Sequence, residues 1–486
     1  MRRAVTAAAV LAAVAAVPFT PVASAAAPYK GANTAAVQDD FNGDGYRDLV
    51  VAAPYAANGS VEAAGAVVVL YGSSGTVSAA RRTVITQATA GVPGDPEDHD
   101  RFGETVAAGD LDRDGYADLI VGTPHEDVGA KAARGSVTVV WGGPNGLKGA
   151  TSIAPPAGYG QGMTYCRFGM SLATGDMDGD GAPELSVGSG CEGASYTGPF
   201  ARTGAAAAVS RQTVTGETRG VVMGDVNGDG RAERFWLPGP TDGDLRGPVW
   251  VDTGSSAPAK LPYADGHAGR VGDLNGDGYG DLVTGISEDE SLANETGAAH
   301  RGGEIQVLYG GPQGITAGQH PQVFHQNTAG VPGTAEDGDE FGQSLAVGDV
   351  NGDHYADVLV GSPGEAVGTR SRAGTAVLLR GSASGLTTAK AVGYTQDTAG
   401  VPGAVETGDA FGAAVHLADL DKDGKAETVV GAPTENSDGC VWVARGSVSG
   451  PVPSGSFNVC GRSAGISTYE VKGYFGAATT SVHVEM

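Results

Sequence analysis

Seven nine-residue stretches concentrate the side chains of this sequence that are best suited to chemistry, and almost all of what they offer is oxygen. They read DFNGDGYRD from Asp40, DLDRDGYAD from Asp110, DMDGDGAPE from Asp176, DVNGDGRAE from Asp225, DLNGDGYGD from Asp273, DVNGDHYAD from Asp349 and DLDKDGKAE from Asp419. Positions 1, 3, 5 and 9 carry Asp40, Asn42, Asp44 and Asp48 in the first copy, and Asp110, Asp112, Asp114 and Asp118 in the second. The third has Asp176, Asp178, Asp180 and Glu184; the fourth has Asp225, Asn227, Asp229 and Glu233. Then come Asp273, Asn275, Asp277 and Asp281; Asp349, Asn351, Asp353 and Asp357; and Asp419, Asp421, Asp423 and Glu427. Position 7 offers a backbone carbonyl, at Tyr46, Tyr116, Tyr279, Tyr355 or Lys425 for example. A hard cation needs several oxygens converging at about 2.3–2.6 Å, and a short loop supplies them when alternate residues point inward around a glycine turn. Zinc and copper favour His or Cys, so this donor set selects Ca²⁺, and up to seven structural calcium sites are predicted.

The loops are not EF-hands, which place a bidentate Glu at position 12 ahead of a helix. Position 12 here is Val51, Val121, Val187, Trp236, Thr284, Val360 or Val430, and the flanking residues read as strand. Asp, Asn and Gly also build ordinary turns. Recurrence of carboxylates at positions 1, 5 and 9 in all seven copies favours metal, because without a cation such groups must protonate or splay apart. The copies differ in quality. His354 replaces the turn glycine of the sixth, at a cost of about 1 kcal/mol, and Pro183 stands beside Glu184 in the third. The second, fifth and seventh loops are expected to bind best.

The charge of the whole chain agrees with this reading. Formal net charge is −26. Arg2 and Arg3 precede an apolar run ending in Ala23-Ser24-Ala25, which reads as a signal peptide over residues 1–25. Its removal takes two arginines and no acid, leaving a net charge of −28, which seven Ca²⁺ would halve to −14. Nucleic acid, anionic membrane surfaces and membrane insertion are excluded as roles. Cys166, Cys191, Cys440 and Cys460 fit an exported chain. Three pairings are open; nearest-neighbour pairing would close loops within single repeats, at roughly 3 kcal/mol each.

The loops must be positioned by repeated elements, since their starts are separated by 70, 66, 49, 48, 76 and 70 residues. Eight residues before the first Asp stands Phe102-Gly103, Phe168-Gly169, Phe341-Gly342 or Phe411-Gly412. Twelve residues after it comes Gly122-Thr123-Pro124, Gly361-Ser362-Pro363 or Gly431-Ala432-Pro433, with Ala52-Ala53-Pro54 in the first copy. An alternating strand ended by glycine follows, such as GAVVVLYG or GTAVLLRG, and three repeats add a loop opening Thr-Ala-Gly-Val-Pro-Gly at residues 89, 328 and 398. These long loops are candidate recognition elements or blade-to-blade packing. With 81 glycines and short β-branched runs, the chain reads as all-β, and four-strand units that cannot bury both faces alone close into a ring. A seven-bladed β-propeller over residues 36–486, after a linker at 26–35, is predicted; an open solenoid has shorter rungs. The C-terminus carries Phe475-Gly476 without an acidic loop, while the first repeat has the loop without Phe-Gly. The last strand is therefore expected to complete the first blade.

Phe-Gly, the Asp-x-Asp/Asn-x-Asp-Gly loop and Gly-x-Pro together resemble the FG-GAP repeat of the integrin α-subunit propeller and its secreted bacterial relatives, from about residue 36 to the end. The resemblance implies calcium within the blades and a platform for adhesion or ligand recognition, a glycan or cell-surface protein being the expected partner. The fourth and fifth repeats lack Phe-Gly, and a stalk or transmembrane helix is not expected. No Gly-x-Ser-x-Gly, His-Glu-x-x-His or phosphate loop is present. A non-enzymatic binding module is expected, with a secreted carbohydrate-active hydrolase or lyase as the alternative.

Overall fold

The computed structural model describes residues 37–212, 218–238, 248–254, 257–287, 301–466 and 474–479. The expected signal peptide and linker lie outside the described residues. Seven four-stranded antiparallel sheets are present, one for each acidic loop, which is the predicted seven-bladed β-propeller. Blade 2 shows the plan. Its inner strand Thr105–Gly109 pairs with Asp118–Thr123, which pairs with Ser136–Val140 and then with the outer strand Ala150–Ser152. In blades 2 to 7 the acidic loop is the hairpin between the first and second strands, as in blade 2, where Gly109 faces Asp118 across it; in blade 1 it leads directly into the second strand, Leu49–Ala53.

Burial follows from the ring. Every residue of Asp118–Thr123 is buried, as is every residue of Asp357–Ser362, because both sheet faces meet a neighbouring blade. Val50, Val67 and Val69 of blade 1 share a core with Phe102, Leu119 and Val121 of blade 2. Val429, Val441 and Phe475 close the ring against Leu49, Val51 and Val68. Outer strands are wet, and four of the five residues of Ala208–Gln212 are exposed. The expected clasp is present: Ala478 and Thr479 pair with Ala52 and Val51, giving blade 1 its innermost strand. The remainder of the C-terminal segment, residues 480–486, lies outside the described residues.

Contacts between successive blades explain the Phe-Gly and Gly-x-Pro signatures. Within a blade the Gly103 amide donates to the Gly122 carbonyl, and Gly342 and Gly412 repeat this with Gly361 and Gly431. Between blades, a Cβ on Gly122 would lie 2.2 Å from the Gly169 carbonyl oxygen, and one on Gly361 would lie 2.0 Å from that of Gly412. Neighbouring hydroxyls seal the junction: Thr105 Oγ1 donates to Gly169 O and Ser344 Oγ to Gly412 O. The Phe102, Phe168, Phe341, Phe411 and Phe475 rings fill the adjoining cores. In blade 5, Asp265-Gly266 takes the place of Phe-Gly, and the buried Asp265 amide is held by Gln306 Oε1.

The three Thr-Ala-Gly-Val-Pro-Gly loops lie against the outer strand of the next blade. Ala150 N–H donates to Gly91 O, and Ser456 Oγ and Asn458 Nδ2 donate to Gly400 O and Pro402 O. Each is also tied down by a glutamine: Gln87, Gln326 and Gln396 donate to Glu126, Glu365 and Glu435 of the following blade. The disulfides are Cys166–Cys191 and Cys440–Cys460, the nearest-neighbour pairing. Among the described residues no helix is long and apolar enough to cross a membrane.

Two outcomes test this architecture. Gly361→Ala should destabilise the protein by about 1–3 kcal/mol through overpacking, whereas Gly143→Ala, with nothing within 4 Å of the new methyl, should stay within about 0.5 kcal/mol of wild type; chemical denaturation measures both. Deleting residues 473–486 should lower the melting temperature of the entire ring, and an unchanged melting temperature would exclude a structural clasp.

Candidate metal-binding loops

All seven acidic loops share one backbone solution. The residues at positions 4 and 6 adopt positive φ throughout, as at Gly43 (71°) and Gly45 (82°) in the first loop. Arg113 and Lys422 hold position 4 at 60° and 64°, and His354 holds position 6 at 71°. The conformation is thus imposed even where no glycine eases it. Sequence reasoning found the position-6 turn and missed position 4, since arginine and lysine hide it in two loops.

Side-chain oxygens are organised by the loop's own amides. One oxygen of the position-1 aspartate accepts from the position-6 N–H in every loop, as in Gly115 to Asp110 at 3.0 Å and His354 to Asp349 at 2.8 Å. Position 3 accepts from the position-5 amide, as in Asp229 to Asn227 at 2.8 Å, and position 5 from the position-7 amide, as in Tyr46 to Asp44 at 3.0 Å. The position-9 carboxylate reaches back to the position-2 amide, at 2.9 Å for Leu111 to Asp118 and 2.8 Å for Leu420 to Glu427. Its other oxygen accepts from the glycine that ends the third strand: Gly72 to Asp48, Gly142 to Asp118, Gly310 to Asp281 and Gly381 to Asp357. That glycine is close-packed as well, a Cβ on Gly142 falling 2.1 Å from Ala117 O.

Where position 3 is an aspartate, three carboxylates converge. Asp110, Asp112 and Asp118 offer oxygens within 4.8 Å of one another, as do Asp176, Asp178 and Glu184, and Asp419, Asp421 and Glu427. A single Ca²⁺ with bonds of about 2.4 Å spans such a separation, so geometry and the all-oxygen donor set both fit the ion. The third loop belongs to this group despite Pro183. The first, fourth, fifth and sixth loops carry Asn42, Asn227, Asn275 and Asn351 at position 3, giving two aspartates, an amide oxygen and the position-9 acid.

Burial and like charge act together on position 9. Desolvation, aided by the charge of neighbouring aspartates, raises Asp118 to about 8 and Asp48, Asp281, Glu184, Glu233 and Glu427 to about 7. Asp357 reaches only about 6 because Arg380, 3.0 Å away, opposes the burial. Basic side chains also reach the rims. Arg202 contacts Asp112 and Asp114 at 2.5 Å each, Arg81 contacts Asp44 at 3.3 Å, and Lys425 contacts Asp423 at 3.3 Å. Arg202 and Arg81 lie 88 and 37 residues from the acids they meet, which is why local spacing gave no sign of them. The second loop, expected among the strongest, therefore carries a protein counter-charge on its outer oxygens.

Comparison with known proteins agrees with this anatomy. The FG-GAP repeat family matches residues 32–70, 102–140, 341–379 and 411–444. Those segments are repeats 1, 2, 6 and 7; the third has Gly188-Ser189-Gly190 in place of Gly-x-Pro, and the fourth and fifth lack Phe-Gly. These four segments are FG-GAP repeats, and the seven-bladed β-propeller that contains them is consistent with the likeness to integrin α chains. Its relatives include the phosphatidylinositol-glycan-specific phospholipase D of Bos taurus, 27% identical over 436 residues, covering 87% of this chain and 46% of that protein. The rat protein of the same name is 32% identical over 33% of this chain and 19% of its own length. Integrin alpha-5 of Xenopus laevis is 33% identical over 31% of this chain and 14% of its own length. The chain thus spans less than half the length of these relatives.

A pH dependence follows for the metal-free protein. Asp118 ionises near 3.8 when unperturbed and near 8 when folded, so between those values the folded state binds more protons than the unfolded one. Stability then falls as pH rises through that window. Melting in chelator at pH 5.5 and pH 8 should show the lower temperature at pH 8, and saturating calcium should remove most of the difference.

Proposed function

We propose that the chain is a secreted, calcium-stabilised propeller acting as a binding module for a glycan or cell-surface ligand. The observation that carries the metal reading is the convergence of Asp110, Asp112 and Asp118, repeated in the third and seventh loops. Side chains at positions 1, 3, 5 and 9 would hold each ion, which supplies positive charge and no redox chemistry. With the carboxylates so neutralised, the hairpins would stay compact and the strands they join would keep their register. The Arg-led apolar N-terminal segment and two disulfides support export.

A rigid ring that presents variable loops suits recognition, and relatives named as integrins support a ligand-binding role. The alternative is hydrolytic. It draws on the likeness to a phospholipase D over 87% of this chain, but that match reaches only 46% of the relative, and no motif in the sequence assigns a nucleophile. Binding is the better-supported reading.

Calorimetry with and without chelator tests the metal. Calcium at ten times its dissociation constant should stabilise the fold by about 1.4 kcal/mol per site, and an unchanged melting temperature would exclude structural ions. A glycan array probed with and without calcium tests the ligand. Calcium-dependent retention without product release supports the binding module, whereas release of product from a polysaccharide or lipid-linked glycan would replace it with the enzyme.

A further inference from the structure

The axis of the ring holds basic groups that the metal loops do not use. Three residues before the first aspartate of each loop, the inner strands carry Ala107, Ala173, Val222 and Ala346, but Arg270 in blade 5 and His416 in blade 7. Position 8 of the loops is Ala117, Pro183, Ala232, Gly280, Ala356 and Ala426, but Arg47 in blade 1. Thus at two register positions that otherwise take small or apolar side chains, three residues are basic. Burial, and after it the charges of Arg47 and Arg270, push His416 down to about 3 and keep it neutral.

Arg47 has a counter-charge. Its charge favours the ionised form of the nearby Asp39 carboxylate. Arg270 does not. Its guanidinium donates to Gly269 O of its own strand, no carboxylate pairs with it among the described residues, and burial with no acid to offset it pushes the group down to about 10. His416 Nε2 is buried and without a hydrogen-bond partner among the described residues. Beside Arg270 lies a cavity of about 40 Å³, lined also by a second basic residue, Arg219, and by Thr105, Ser171, His267 and Leu345. That space would hold roughly three waters or one compact oxyanion.

We propose that the axial channel is a binding site for a small oxyanion, a sulfate or carboxylate group held by the Arg270 guanidinium. An uncompensated guanidinium in a restricted cavity is costly alone, and its planar fork matches the paired oxygens of both groups. The chain as a whole is strongly acidic, so a positive channel would select anions against the surrounding field. The inference does not rest on the calcium loops or on a glycan ligand.

The test is titration calorimetry and thermal melting of the full chain with sodium sulfate and, separately, sodium acetate, against sodium chloride at matched ionic strength. Wild type should show saturable heat and a saturable rise in melting temperature with at least one anion. The more effective of the two identifies the oxyanion. Sulfate also favours compact states generally, so a non-saturating rise is not binding. Arg270→Met, which keeps the apolar stem, should bind at least about ten-fold more weakly with unchanged circular dichroism. If that variant does not fold, Arg270→Lys should bind with intermediate affinity. Absence of a saturable component in wild type with both anions, or equal affinity in the folded variant, would overturn the proposal.

Discussion

Mutual repulsion among desolvated carboxylates is the constraint around which each blade is built. Every acidic loop gathers three or four acids, and the ninth-position group is buried beneath the others. Backbone amides answer part of this charge: two left-handed residues turn successive N–H groups inward, each meeting an oxygen of a side chain within the same loop. Arginines and a lysine from elsewhere answer another part at some rims. Where Asp110, Asp112 and Asp118 meet, neutral amides and a peripheral guanidinium still leave anionic oxygens converging on one point, which is the electrostatic reason for reading the loops as cation sockets.

The sockets are carried on one rim because the glycine junctions fix each blade against the next. A carbonyl of one Phe-Gly pair approaches the Gly-x-Pro glycine of the preceding blade so closely that a methyl group cannot fit. Hydroxyls of Thr105 and Ser344 bond to the same carbonyls. This contact translates a local sequence motif into a rotation between blades, and repetition of the rotation brings Ala478 to Ala52. The third-strand glycine then links the junction to the socket, since the Gly142 amide holds the Asp118 carboxylate from inside the blade.

Much of this was legible in the sequence because each feature recurs at a fixed offset. Seven acidic loops gave the blade count, and the complementary ends gave the clasp. The position-9 acids were recognisable as part of the loop, although their second partner, a glycine 24 residues onward as in Gly72 with Asp48, was visible only as the end of a strand. What was hidden arises from contacts across blades. Arg202 reaches Asp112 from 90 residues away, and the Thr-Ala-Gly-Val-Pro-Gly loops meet the outer strand of the next blade, which no spacing within a repeat reveals. The axial cluster was present in the sequence as exceptions at positions otherwise small or apolar. It gained meaning only once Arg270 was seen to line a cavity among the inner strands.

Counting bound ions tests the socket most directly. After equilibrium dialysis of the purified chain against millimolar calcium, atomic absorption should find at least the three ions of the loops with converging carboxylate triads, and no more than one for each of the seven blades. Metal no higher than in the surrounding buffer would contradict the charge-neutralising role of calcium.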